Sequence, residues 1–425
     1  MKIKMSNVEK YYTYVTSKGL KISIVKRDSA SSFHMAMLVN YGGIDTAFFN
    51  NDKQYIKTPR GVAHFLEHKM FESKNKDTFE RFSKQSGSIN AYTNATATVY
   101  YFSCTDKIED NIKLFLSCLS SPYITPENVE KEKGIILQEI NMYKDNPSAR
   151  VYENLLKGMY YRNPVKYDVA GDEEDIKEIT YSTLLSCYST FYNCGNMEIF
   201  IVGDVDVHKI FELIDNIEGF GSGDKFNKIY PSEPINVKES IINDNMSVVD
   251  TSFLAGFKLD FSGIRGRAIM KQEVIYNMLL EYLCGNMSSL YERLYRDSYI
   301  DSSFGYGVNI NNKFGFNVLG GISNEPERVI DEFYKEVYGA ISSGINKESF
   351  TSIKKMMLGN YTRIFDDGFS LLNNIITSKN KGGCFLEITD VIKGIEKDDL
   401  YMVLKDGFGR ERTTISTVSP INVNK

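Results

Sequence analysis

Residues 61–68 read Gly61-Val-Ala-His-Phe-Leu-Glu-His68 and carry two of the four histidines in this 425-residue chain. On a helix, positions i and i+4 lie one above the other, so His64 and His68 can bind one metal ion together. Glu67 lies beside His68 and three residues after His64, within reach of the same side. Phe65 and Leu66 point elsewhere and are expected to anchor the helix in a core. The order His-x-x-Glu-His is the zinc-peptidase arrangement inverted, with the glutamate before the second histidine. It predicts Zn2+ on His64 and His68, with Glu67 activating water. His34 and His208 have no such neighbourhood and read as a strand or core histidine and a surface histidine.

A catalytic zinc site needs a third protein ligand, with water in the fourth position. The six cysteines form no CxxC pair and are scattered through apolar segments. They read as reduced, mostly buried thiols of a cytoplasmic protein, and are poor ligand candidates. Glu130-Lys-Glu-Lys-Gly-Ile-Ile-Leu-Gln-Glu139 offers carboxylates instead. Glu132 and Glu139 stand two helical turns apart on one face. One could bind the metal while the other orients a ligand from behind; spacing alone does not choose between them. Ile135, Ile136 and Ile140 are expected to pack this helix.

Strands are predicted at Lys21–Val25 and Met35–Val39, with loop over 46–57. Thr58-Pro59 reads as an N-cap with Pro at N1, opening the histidine helix through about Met70. A helix is expected over Asp77–Ser86, one strand over Asn90–Ser103, and helices over Lys107–Leu119, 126–143 and 148–161. Met197–Gly203 is a strand. Around 219–240, glycines give way to polar residues and two prolines, which marks a linker. Strands and helices then restart in similar proportion. The chain is too long for one core, so the expected division is a domain over 1–220, a linker over 221–240 and a second domain over 241–425. The net charge of -5 gives no basic excess for nucleic acid. No apolar run approaches membrane length, and the N-terminus lacks the apolar region of a signal peptide.

Four motifs in order resemble the pitrilysin/insulinase family, which includes the mitochondrial processing peptidases and small bacterial relatives. They are Arg60-Gly-Val-Ala-His-Phe-Leu-Glu-His-Lys-Met-Phe-Glu72, Gly87-Ser-Ile-Asn-Ala-Tyr-Thr93, the Glu130–Ile140 segment, and Asn196-Met-Glu-Ile-Phe-Ile-Val-Gly-Asp204. The resemblance implies an α+β fold of two similar domains, each a mostly antiparallel sheet with helices packed on one face. It implies Glu139 as third ligand, with Glu132 behind it as helper. It makes Asn90, Ala91 and Tyr92 part of an edge strand to which substrate adds as a further strand. The second half has no histidine and is expected to hold no metal. The family's substrate-contacting Arg falls on Tyr295 beside Arg296, and Tyr306 matches its Tyr only with an insertion. The implied function is a zinc endopeptidase hydrolysing extended or unfolded peptides in a chamber between two domains, paired with itself or a related subunit. Competing readings are a non-catalytic peptide-binding or assembly subunit, and a zinc hydrolase acting on a non-peptide amide.

Overall fold

The computed structural model describes residues 2–5, 10–50, 52–74, 77–223, 227–260 and 263–421. Residues 1 and 6–9 of the polar N-terminus, and 224–226 of the expected linker, lie outside these. The first seven-stranded sheet draws on β1 (Lys2–Met5), β2 (Lys10–Val15), β3 (Lys21–Lys26) and β4 (Phe33–Val39). A separate small hairpin follows, β5 (Ala47–Phe49) with β6 (Tyr55–Lys57), inside the segment read as loop. The sheet is completed by β7 (Gly87–Thr93), β8 (Thr98–Cys104) and β9 (Met197–Gly203), in the order β1-β2-β3-β9-β4-β8-β7. The second sheet contains β10 (Ile241–Met246), β11 (Ser252–Lys258), β12 (Gly305–Ile310), β13 (Gly315–Ile322) and β14 (Thr413–Pro420), ordered β10-β14-β11-β13-β12. Among the described strands, only β3–β9 and β10–β14 pair in parallel. The α+β class with two mostly antiparallel sheets is the one formed.

Four helices matter most here: α1 (Val62–Met70), α2 (Pro126–Lys144), α3 (Pro147–Met159) and α4 (Gly368–Asn380). The compact units cross the division of the chain at 221–240. One unit joins Met1–Ile140 and Asp168–Tyr230 to Ile364–Asn380; the other joins Asn141–Tyr167 and Pro231–Arg363 to Lys381–Lys425. Thus α4, late in the chain, packs on β4 and β9, while the early α3 packs on β10, β11 and β14. The cause is visible in β4 and β9, every residue of which is buried. Met35 and Met37 face the main core of the first unit. His34 faces the other side, where a Cβ on Gly368 would sit 3.0 Å from its ring. Strands buried on both faces need a second cover, and α4 provides it. His34 is accordingly a buried strand histidine, 2.7 Å from the Ser103 hydroxyl, and His208 is exposed.

Lys228, Tyr230 and Glu233 of the linker are tied down. Lys228 Nζ and the Tyr230 hydroxyl donate to the buried Asp45 carboxylate at 2.7 and 2.6 Å. In the second unit, Glu233 accepts the backbone N–H groups of Tyr161, Arg162 and Asn163, each at 2.8 Å, and Lys258 Nζ at 2.7 Å. These bonds occupy N–H groups just past the end of α3, among them that of the buried Asn163, which would otherwise go unpaired.

Two boundaries differ from the sequence expectation. Pro59 is not N1: α1 starts after Gly61, which has φ of +84°. Only glycine takes that conformation cheaply, and a Cβ there would meet the Ala170 carbonyl oxygen at 2.2 Å. The expected strand over Asn90–Ser103 is a hairpin. Its turn carries no Gly or Pro; Asn94 Oδ1 accepts the N–H groups of Thr96 and Ala97, both at 2.9 Å, doing the job of a turn residue.

Candidate metal centre

The start of α1 is fixed by Arg60, which is ion-paired with Asp172 and with Asp175 (2.6 Å). Phe65 and Leu66 are fully buried, as expected, each contributing about 1.5–3 kcal/mol. The helix packs beside β7 and β8, so its histidines lie by the open edge of the sheet. In α2, Ile136 is buried and Ile140 packs partly against the core, but Ile135 is 46% exposed. The expectation for Ile135 was wrong by one helical position: the buried face runs through Val129 and Ile136, and a residue 100° round from Ile136 faces out.

His64, His68 and Glu139 come together, with one ligand atom from each lying within 4.8 Å of the others. Glu139 Oε2 is 3.5 Å from His68 Nε2 and 3.9 Å from His64 Nε2. Ligands about 2.0–2.1 Å from a tetrahedral zinc stand roughly 3.3 Å apart, so small rotations of these side chains suffice to close the set. Glu132 stands behind, its Oε1 3.0 Å from His68 Nδ1. An ionised carboxylate can only accept, so Nδ1 carries the hydrogen and the Nε2 lone pair is left toward Glu139. Spacing left Glu132 and Glu139 equivalent; the geometry separates them.

Burial and neighbouring charges act differently on the two rings. Burial, reinforced by His68, pushes the His64 pKa down to about 4, so its ring is neutral and can donate a lone pair at neutral pH. Burial also opposes protonation of His68, but the Glu132 hydrogen bond and the charges of Glu67, Glu132 and Glu139 outweigh it and raise its pKa. Glu132 is likewise desolvated, yet His68 and Lys69 hold it below the usual carboxylate range.

Glu67 Oε2 is 4.0 Å from His64 Nε2, outside the group of three but beside it. Burial raises its pKa, which suits a general base. Thr93, at the end of β7, donates its hydroxyl to Glu67 Oε2 at 3.3 Å. Sequence reading gave Thr93 no role, and only its place in the motif with Asn90–Tyr92 hinted at one. It also passed over Lys69 and Glu72, an ion pair beside Glu132. A lysine on the apolar stripe of α1 was the available signal.

The strand β7 is the edge of its sheet and pairs only with β8 among the described strands, Asn90 opposite Tyr101, Ala91 opposite Tyr100 and Tyr92 opposite Val99. Asn90 is exposed, while Ala91 and Tyr92 are half-buried. Arg296 and Tyr306 belong to the second unit: Arg296 pairs with Asp297 at 3.1 Å, and the Tyr306 hydroxyl donates to Glu281 at 2.5 Å. Four of the six cysteines, Cys104, Cys187, Cys194 and Cys284, are buried.

Residues 51–173 match the family described as Insulinase (Peptidase family M16), and residues 178–357 the Peptidase M16 inactive domain. An uncharacterized zinc protease of Bacillus subtilis, YmfH, is 32% identical over 423 residues, with 97% of each chain covered. The chain belongs to the M16 peptidase family. The crystal structure of an M16-like peptidase from Alicyclobacillus acidocaldarius superposes on this M16 chain with a TM-score of 0.93, at 30% identity and 99% coverage of both. A mitochondrial-processing peptidase subunit beta from Caenorhabditis elegans is 28% identical over 178 residues, covering 40% of this chain and 39% of that one. The inactive-domain match fits a second half without histidine after His208.

Proposed function

We propose that this M16 family member is a zinc-dependent endopeptidase acting on extended or unfolded peptides. The convergence of His64, His68 and Glu139, with the Glu67 carboxylate beside them, carries the reading. When bound, zinc supplies Lewis acidity, bringing the pKa of water toward ~7 and polarising a carbonyl. Glu67 takes the proton of the attacking water and delivers it to the leaving amine. Its raised basicity and the Thr93 hydroxyl suit it to both steps. Glu132 holds His68 in the tautomer that leaves Nε2 free. The open edge of β7 supports main-chain pairing with an extended peptide, which reads little of its sequence. The free thiols of Cys104, Cys118, Cys187, Cys194 and Cys284 support a cytoplasmic setting, and no helix among the described residues is long and apolar enough to cross a membrane. Pairing with itself or with a related subunit to close a chamber is part of the same reading.

The test is to incubate the purified protein with a mixed peptide library, with and without a chelator, and to measure bound metal. Chelator-sensitive cleavage with about one zinc per chain is expected. The inactive-domain match over 178–357 favours one rival, a peptide-binding or assembly subunit. Stoichiometric zinc without cleavage would establish that rival and defeat the peptidase reading.

A further inference from the structure

Lys69 places a charge where α1 calls for an apolar side chain. It shares the buried stripe of the helix with Val62, Phe65 and Leu66, and its side chain is 0% exposed. Taking an ammonium out of water costs several kcal/mol unless partners offset it, and an apolar residue would fill the position without that cost. The partners point toward the metal centre. Lys69 Nζ donates to Glu132 Oε2 and to the carbonyl oxygen of Asn128, both at 3.4 Å, and it is ion-paired with Glu72. The other oxygen of the same Glu132 carboxylate accepts from His68 Nδ1 at 3.0 Å. One oxygen therefore faces the cation and the other the ligand's N–H.

We propose that Lys69 is a positioning residue of the metal centre, acting on His68 through Glu132. Glu132 is half-buried, and a carboxylate so placed gains by rotating toward water. Lys69, which donates to its Oε2, fixes its rotation. The hydrogen bond to His68 Nδ1 then persists, and with it the ring orientation and donor strength of Nε2. This inference rests on the metal reading above. Glu72 supplies a structural rival, in which Lys69 does no more than neutralise Glu72 so that α1 can fold.

The experiment is a cycle of variants in an E72Q background, which removes that rival demand. Zinc dissociation constants are measured by competition with a chromophoric chelator, and folding by circular dichroism and thermal melting. E72Q is expected to bind zinc as the wild type does. K69M/E72Q is expected to stay folded and to bind zinc about 10–100-fold more weakly, the range for groups behind a ligand. E72Q/E132Q is expected to lose a similar factor. Adding K69M to E72Q/E132Q is expected to cost less than threefold more, because the route through Glu132 is already cut. A folded K69M/E72Q with wild-type zinc affinity would overturn the inference and leave the metal reading intact. Losses that multiply in the triple variant would overturn it too. A wild-type protein that binds no zinc would defeat the metal reading and the inference together.

Discussion

Replacing Glu67 by Gln isolates the proton-transfer step from metal binding. The amide has nearly the shape of the carboxylate, and its oxygen can keep the Thr93 hydroxyl bond now made at 3.3 Å. The change removes a charge that burial disfavours, so stability should move by no more than about 1 kcal/mol. Glu67 is not one of the three convergent residues, so zinc content should be unchanged. Losing a positioned general base lowers turnover by about 10²–10⁴-fold, or about 2.7–5.5 kcal/mol in the barrier. Initial rates on a quenched fluorescent peptide, measured beside metal content and a melting curve, read all three quantities. Wild-type turnover by Glu67→Gln would refute the assignment of the base. Loss of zinc together with activity would instead make Glu67 a ligand.

Other outcomes test the rest of the site and its frame. Glu139→Gln should weaken zinc binding by at least the 10–100-fold typical of groups behind a ligand; an unchanged dissociation constant would remove it from the set. If peptides add to β7 as a strand, N-methylating alternate backbone nitrogens of a cleaved peptide should abolish cleavage in one phase and spare it in the other, whereas equal effects in both phases would exclude strand addition. Gly61→Ala should cost more than about 2 kcal/mol, since it forces a side chain into left-handed backbone against the Ala170 carbonyl, and should weaken zinc binding by displacing α1. Glu233→Gln should destabilise the second unit by about 3–5 kcal/mol at neutral pH, read as faster hydrogen exchange of the Tyr161–Asn163 amides. Burial alone would raise the Glu233 pKa, but Lys258 and three backbone N–H groups lower it overall. Its contribution is therefore complete above the unfolded value of about 4.3 and fades as pH falls through the lower folded value. A Glu233→Gln deficit that persisted unchanged into acid would contradict this.

Local features of the chain were legible and distant ones were not. The i, i+4 histidines with Glu67, and the seven-residue step from Glu132 to Glu139, need only helical geometry. Choosing Glu139 over Glu132 needs the position of α2 against α1, which lies in no single segment; the family resemblance supplied it. The start of α1 was misplaced because Thr58-Pro59 looks like a cap, whereas backbone crowding by Ala170 selects Gly61. The hairpin at 94–97 was missed because its turn depends on the Asn94 side chain. The packing of α3 and α4 carries no local signal, for an amphipathic helix does not say which sheet it will cover. Lys69 was visible as a charge on an apolar stripe, but its meaning depends on Glu132, over sixty residues away.

The exchange of helices has a consequence for biosynthesis. Once Gly203 has left the ribosome, β4 and β9 are both out, but their second face waits for α4, which ends at Asn380. At 5–20 residues per second the wait is on the order of ten to thirty seconds. Through that interval the nascent chain shows Ala36, Leu38, Phe200 and Val202 without their cover. Cutting the gene at the 221–240 segment would make the interval permanent: each fragment would lack one covering helix while carrying the one its counterpart needs.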